Sequence, residues 1–410
     1  MTRRSTLEKS FAIAVISALI AGCASVSRPS PSSPALAARK NAPSTVNVPR
    51  TVVTPTDAAT LLELYERASA ELEAGRAAKA AADFERIFSL DPAWQYAPDA
   101  LFQSAVAHEQ ATERDAALSR YEEVARRFPE HALGREALVR SLRLLAFLER
   151  WQRLGQAADL LISRYKDLRP FESVVALSGK ALSLVMYSGD VEGALHFIER
   201  GRNVIDAHGL DQAGRVARDL AQLYFALGEV RRIKAERIRF VPVPENFPAM
   251  LEQRAQLLLD AQSAYSDAMR AYDAHWSAMA GYRVGELYQN LHKDLMGVPA
   301  PKAADGDLRK QQLFEGAMRL RYSILLRKAL SMMEHTLTMA ARTGEHSEWV
   351  TRAEQAKRNI EQSIKDEDAA IARLPYTRQD LQNALDELTA KAKPAAPHET
   401  KTGKQTKPPR

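Results

Sequence analysis

From Asp57 to about Leu388 the apolar residues of this chain recur every three or four positions. That spacing places them on one face of an α-helix. Alanine-rich runs of ordinary helix length are separated by glycine, proline and aspartate, the residues that end helices. No run shows the period-2 alternation of β-branched residues that marks a strand. The runs also repeat. Gly75, Ala80, Phe84 and Pro92 fall at steps of 5, 4 and 8, and Ala117, Tyr121 and Pro129 repeat the steps of 4 and 8, displaced by 37 residues. A third unit has Ala157 and Leu161, with Pro170 one residue late. A fourth has Gly189, Ala194 and Ile198, again at steps of 5 and 4, and a fifth keeps Ala221, Tyr224 and Gly228 before the pattern fades. Each position has a physical role. The small residue at Ala80 lets a second helix close on a first, the ring at Phe84 or Tyr121 fills the space between neighbouring units, and the proline stops the second helix.

These units resemble the tetratricopeptide repeat, whose period is about 34 residues. The resemblance implies an all-α fold, a solenoid of stacked helix pairs. The region from Arg239 differs. Phe240 to Pro248 (FVPVPENFP) is a proline-rich connector that cannot stay helical. Leu251, Ala255, Leu258, Gln262, Tyr265, Met269 and Tyr272 then alternate steps of 4 and 3, a heptad-like seam on one long helix. Tyr282 to Tyr288 (YRVGELY) fits a repeat's first helix, with Gly285 and Tyr288 in the small and tyrosine positions. A loop with Pro299 and Pro301 runs to about Asp307, a second long helix follows to Gly344, and one more unit follows Trp349. The RVGELY, VPAPK and Glu348-Trp349 motifs are similar to those of tetratricopeptide-repeat outer-membrane proteins of myxobacteria and related bacteria, including the lipoprotein family of the adventurous gliding machinery. The likeness covers about residues 75 to 365 and implies an envelope scaffold. Repeat lipoproteins of the β-barrel assembly machinery share the early helix pairs but fit the region after residue 250 less well.

Charge changes the picture only once it is divided. The chain carries a formal +6. Residues 1–22 contribute +2, residues 23–56 contribute +4 and residues 391–410 contribute +5, which leaves −5 on residues 57–390. A mildly acidic body between basic tails does not fit nucleic-acid binding, which uses a basic folded face. Residues 24–56 hold six prolines and six serines in 33 positions, a composition expected to stay disordered and to act as a tether. As a flexible coil it spans about 30 Å, and fully extended up to about 100 Å.

Cys23 is the sole cysteine. It closes Leu19-Ile20-Ala21-Gly22-Cys23, after Arg3, Arg4, Lys9 and the apolar stretch Phe11 to Ala21. A positive segment followed by a short apolar one is the layout of a secretory signal. It is too short to span a bilayer, which takes about 20 residues. The LIAGC run resembles the lipobox of bacterial lipoproteins. That likeness implies diacylglyceryl transfer to Cys23, cleavage before it, and anchoring by several acyl chains, because one chain binds a membrane only marginally. Ala24 follows the cysteine, not the aspartate associated with inner-membrane retention in enterobacterial lipoproteins, so the outer membrane is the expected location.

Catalytic patterns are absent. Ser178-Gly179-Lys180 resembles the end of a phosphate loop, but Val174 and Ala181 occupy its required glycine and hydroxyl positions. Glu334-His335 has no second histidine at helical spacing to complete a zinc site. Asp366-Glu367-Asp368 suits a solvated helix face. Tyr265, Tyr272, Trp276, Tyr282 and Tyr288 suit packing between repeats, and Met332, Met333 and Met339 suit core filling. The expected organisation is a signal peptide (1–22), a lipidated cysteine with a disordered tether (23–56), a tetratricopeptide-like array (57–238), a region of long helices (239–388) and a disordered basic tail (389–410). The expected function is a non-enzymatic scaffold without cofactor, metal, nucleic acid or small-molecule substrate. It would bind envelope proteins through a repeat groove and the membrane through Cys23. The alternatives are a part in outer-membrane barrel assembly or activation of peptidoglycan synthesis.

Overall fold

The computed structural model describes residues 58–211, 218–301 and 304–391. Cys23, the tether and the tail from residue 392 lie outside them. The described residues form fourteen α-helices and no strand. They are α1 (Ala58–Glu73), α2 (Ala77–Leu90), α3 (Ala97–Gln110), α4 (Arg114–Arg127), α5 (Ala132–Phe147), α6 (Trp151–Arg164), α7 (Pro170–Ser183), α8 (Val191–His208), α9 (Ala221–Glu236), α10 (Phe247–Met269), α11 (Ala274–Met296), α12 (Leu308–Thr343), α13 (Glu348–Ala372) and α14 (Arg378–Lys391). Consecutive helices pack as antiparallel pairs, an arrangement compatible with a helical repeat. Among the described residues no helix is long and apolar enough to cross a membrane.

Local chemistry sets the turns. In the first three pairs the first helix ends on a residue in the left-handed region: Gly75 (φ 75°), Thr112 (φ 63°) and Glu149 (φ 54°), each 37 residues after the last. The next amide returns a hydrogen bond to a carbonyl five residues back. Arg76 donates to Glu71 at 2.9 Å, Glu113 to His108 at 2.8 Å and Arg150 to Leu145 at 2.9 Å. This is the closure that satisfies the last carbonyls of a helix. Aspartates start several later helices. Asp190, Asp273 and Asp307 accept from the amides of Gly193, Trp276 and Lys310, filling orphan donors of the first turn.

The packing residues lie where the repeat demands. Ala80, Phe84, Ala117 and Tyr121 are all buried, as are Ala194 and Ile198. Phe84 meets Tyr65 edge-on at 5.3 Å, and Tyr121 meets Phe102 at 5.4 Å. The third unit is shifted from its expected register. The turn at Glu149 places Leu154 and Ala158 at the sites of Ala80 and Phe84, three residues before Ala157 and Leu161, and both are buried. The large and small residues are exchanged there, which hides the period. Ala221, Tyr224 and Gly228 lie on a first helix, α9, whereas the other units' markers lie on second helices.

The later helices lengthen. The 36-residue α12 spans about 54 Å. The boundary at 238/239 falls between α9 and α10, two helices packed on each other, and one hydrophobic core runs through it. Gly228 permits this approach, since a Cβ there would lie 2.5 Å from the Tyr265 ring. Tyr272 leaves the seam. It sits in the α10–α11 turn at φ 57° and is 85% exposed. The last unit does not close as a pair. α14 lies along α12, where Leu374 and Leu381 cover Gly316, and the helix continues past Leu388 to Lys391.

Candidate functional site

From α3 onward the first helices touch in succession: α3 with α5, α5 with α7, α7 with α9, α9 with α11 and α11 with α13. No comparable packing joins the successive second helices α2, α4, α6, α8, α10 and α12. A stack whose first helices crowd while its second helices splay is curved, and its first helices line the inner face. On that face, between α5, α7 and the short turn before α9, lies a cavity of about 250 Å³ lined by Glu136, Val139, Arg143, Arg169, Phe171, Glu172 and Asp219.

Charge organises its walls. Arg143 pairs with Asp219 at 2.5 Å, across 76 residues of chain. Arg169 reaches Glu136 at 3.5 Å and Glu172 at 2.6 Å. Glu172 is nearly buried and also receives Arg135. Burial alone would raise the Glu172 carboxyl, but the hydrogen bonds from Arg169 and Arg135 outweigh it and hold it below the usual carboxylate range. The Arg143 Nε is buried without a hydrogen-bond partner, and Phe171 stands 38% exposed at the rim. The site offers a guanidinium donor and an apolar ring to an incoming segment.

A second cavity, of about 490 Å³, lies where the curve brings distant pairs together. The turns after α3 and α5 meet the starts of α11 and α13. The Trp349 indole N–H donates to Glu149 at 2.6 Å, across 200 residues. His275 stacks on Phe147 with ring centroids 4.1 Å apart, and the Arg114 guanidinium lies 4.3 Å from the same ring centre. Nδ1 of His275 is 3.5 Å from Glu345, yet neither ring nitrogen makes a hydrogen bond. Burial pushes the His275 imidazole below its ordinary value of 6.5, against the pull of Glu345, Asp273 and Glu149. Here the residues clasp the curved stack. The sequence pointed to Glu348-Trp349 but not to its partner. Glu149 carries one signal, its place one period after Thr112 and two after Gly75.

Ser178 is buried inside α7 and donates to the Val175 carbonyl, while Gly179 faces the side chains of Leu154 and Leu142. Glu334 and His335 are exposed on α12. Met333 is buried against Gly285. Of the acidic run, Glu367 is not solvated as expected. It turns in to pair with Arg319 at 2.6 Å. Among the described residues no group of three or more His, Cys, Asp or Glu is placed to hold a metal ion. Comparison with known protein families and with curated proteins gives no match.

Proposed function

We propose that this chain is a tetratricopeptide-like scaffold, lipid-anchored through Cys23 at the periplasmic face of the outer membrane, that holds another envelope protein against its first-helix face. The observation that carries the reading is the inner layer formed by α3, α5, α7, α9, α11 and α13, with the Arg143–Phe171 cavity opening onto it. A curved stack of helix pairs offers an extended binding surface. The LIAGC run and the proline-serine tether support the anchor. The RVGELY and VPAPK motifs favour an envelope assembly of the gliding type over barrel assembly or peptidoglycan synthesis. The protein acts by holding partners and turns over no substrate.

A photo-crosslinker at Phe171, in cells that make the full chain, tests the groove. It is expected to capture an envelope protein, and Arg143→Glu is expected to abolish the adduct. Capture that survives Arg143→Glu, or that occurs only from crosslinkers in the two tails, sinks the groove reading. Fractionation of Cys23→Ser tests the anchor. Unprocessed or soluble protein is expected, and normal processing with membrane retention would overturn it.

A further inference from the structure

The connector between α9 and α10 presents an apolar edge to solvent. Val241 is 57% and Val243 47% exposed. They do not hang on a slack loop. Phe240, between them and α9, is buried, packs edge-on against Phe247 at 5.3 Å and lies under the Arg254 guanidinium at 5.1 Å. Arg254 also donates to the Ile238 carbonyl at 2.8 Å and pairs with Asp294 at 2.5 Å. The fold thus pins the root of the connector and holds Val241, Pro242 and Val243 out from it.

The neighbouring turns extend the edge. Tyr187, 60% exposed, closes the irregular turn Leu184–Ser188 that packs on α9. Glu192 at the start of α8 pairs with Lys234 near the end of α9 at 3.1 Å. Asn290 on α11 donates to Glu236 at 3.1 Å. The ends of α7, α9 and α11 therefore lie side by side. Arg237 and Arg239 precede the valines, are exposed and form no ion pair among the described residues. Glu245, Asp190 and Glu192 are exposed acids on the same turns; Glu192 is paired with Lys234 and the Asp190 carboxylate is engaged at the amide of Gly193.

We propose that this edge is a membrane-contact surface, inserting Val241 and Val243 among the headgroups of an anionic bilayer with Arg237 and Arg239 on the lipid phosphates. A protein partner would favour aromatic anchors set in a pocket. Here two valines project outward, the one exposed aromatic, Tyr187, lies in neither cavity, and unpaired cations stand beside the valines. That is the chemistry of interfacial insertion, where apolar area and attraction to anionic lipid add. The proposal rests on the lipid-anchored reading in one respect. Residues 24–57, which join Cys23 to α1, lie outside the described residues, and a lipid on Cys23 fixes only one point of the chain at the bilayer. The tether alone does not orient the body, and a second contact at this edge does.

The test uses the full chain as the cell makes it. A lipidated Cys23 has no free thiol, so Val243→Cys carries the only reactive one. An environment-sensitive fluorophore at that site, in protein reconstituted into phosphatidylethanolamine–phosphatidylglycerol vesicles, is expected to shift blue and to be quenched by spin-labelled lipid. The same label at Tyr272→Cys, at the far end of α10, is expected to stay in water. Arg237→Glu with Arg239→Glu is expected to weaken the contact at position 243 about tenfold. A label at Val243→Cys as solvated as one at Tyr272→Cys overturns the proposal. So does a label buried only after other envelope proteins are added, which would make the edge a protein interface. Wild-type protein that takes up the fluorophore shows a free Cys23 and removes the anchor reading. The loop is then read on a Cys23→Ser background with vesicles supplied, with the same two outcomes.

Discussion

In the first three pairs one helix passes to the next through a single left-handed residue, always 37 positions on, at Gly75, Thr112 and Glu149. In the fifth pair the same passage takes residues 237–246, with Phe240 pinned and Val241 and Val243 turned out. The interiors differ as well. Between α1 and α4 alanines face rings: Ala80 and Phe84, Ala117 and Tyr121, all buried. Between α9 and α11 the fully buried Glu229 receives the Tyr265 hydroxyl at 2.8 Å and Arg232 at 2.8 Å, and lies 2.8 Å from the Nε of Arg283. That last contact is an ion pair and not a hydrogen bond, since the Nε is not aligned to donate. Burial alone would raise the Glu229 carboxyl, but Arg283 and Arg232 hold it below the usual range. The early pairs are held mainly by interchangeable apolar shapes, and their ion pairs, such as Glu85 with Arg120, are half-exposed. The later ones depend on a polar cluster in which each member needs the others.

The comparison breaks most sharply at Glu229. Glu229→Ala removes the fully buried partner of two guanidinium groups and leaves Arg232 only Glu236 and Arg283 only Glu286, a loss of about 3 kcal/mol. Denaturant unfolding should show it, and the C-terminal helices should open first. A loss under about 1 kcal/mol would mean that water reaches the cluster and that the two regions are not built differently. Phe84→Ala removes a ring from an apolar site and costs about 3 to 5 kcal/mol locally. Neighbour-coupled pairs loosen before the whole array does, so global unfolding should move less. Hydrogen exchange over residues 60–130 is the measurement. Unchanged protection there would place the ring outside the packing.

Glycines sharpen the same contrast at smaller scale. At Gly228 a Cβ would lie 2.5 Å from the Tyr265 ring. Gly228→Ala should therefore cost about 1 to 3 kcal/mol through overpacking. At Gly75 nothing lies within 4 Å of an added Cβ, and only the φ of 75° objects, so Gly75→Ala should cost about 1 kcal/mol. The natural Thr112 and Glu149 at equivalent turns show that the position tolerates a side chain. Thermal unfolding separates the two, and equal costs would erase the distinction between a glycine for packing and a glycine for a turn.

How legible each feature was follows from the range of the interaction behind it. Helices and turns arise from residues a few positions apart, and the steps through Gly75, Ala80 and Phe84 announce them. The third unit misled because Leu154 and Ala158 exchange large for small, which breaks the pattern while both stay buried. Tyr272 looked like another seam residue because periodicity alone does not locate the left-handed turn that ejects it. The groove was foreseen only as a groove. Arg143 with Asp219 joins positions 76 apart, and Trp349 with Glu149 positions 200 apart. No local pattern encodes which turn meets which across a curved stack. Glu367 was misread for the same reason, since its partner Arg319 lies 48 positions away.

The smallest expected effect is a difference in acid response. Burial lowers His275 below 6.5, against the pull of Glu345, Asp273 and Glu149, and burial likewise lowers His292, with Glu367 opposing. In the folded state these imidazoles refuse a proton that the unfolded chain accepts. Their contribution is complete above pH 6.5 and declines as pH falls below it toward their folded values. The ion-paired carboxylates Glu85 on α2 and Glu172 on α7 behave differently. For Glu85 and Glu172 burial raises the carboxyl, but His108 and Arg120 in one case, and Arg169 and Arg135 in the other, bring it below 4.5. Their contribution holds above 4.5 and is lost only as pH falls through the lower folded value. Between about pH 7.5 and pH 5 the α11 contacts and the Trp349 clasp should therefore loosen while α1 to α4 keep their protection. Hydrogen exchange at the two pH values, corrected for intrinsic rates, reads this directly. His275→Phe keeps a ring against Phe147 and removes the titrating nitrogens, so it should abolish the change at the clasp and leave that around His292. Equal loosening of both halves, or a clasp that responds to pH as before in His275→Phe, would detach the acid response from these two histidines.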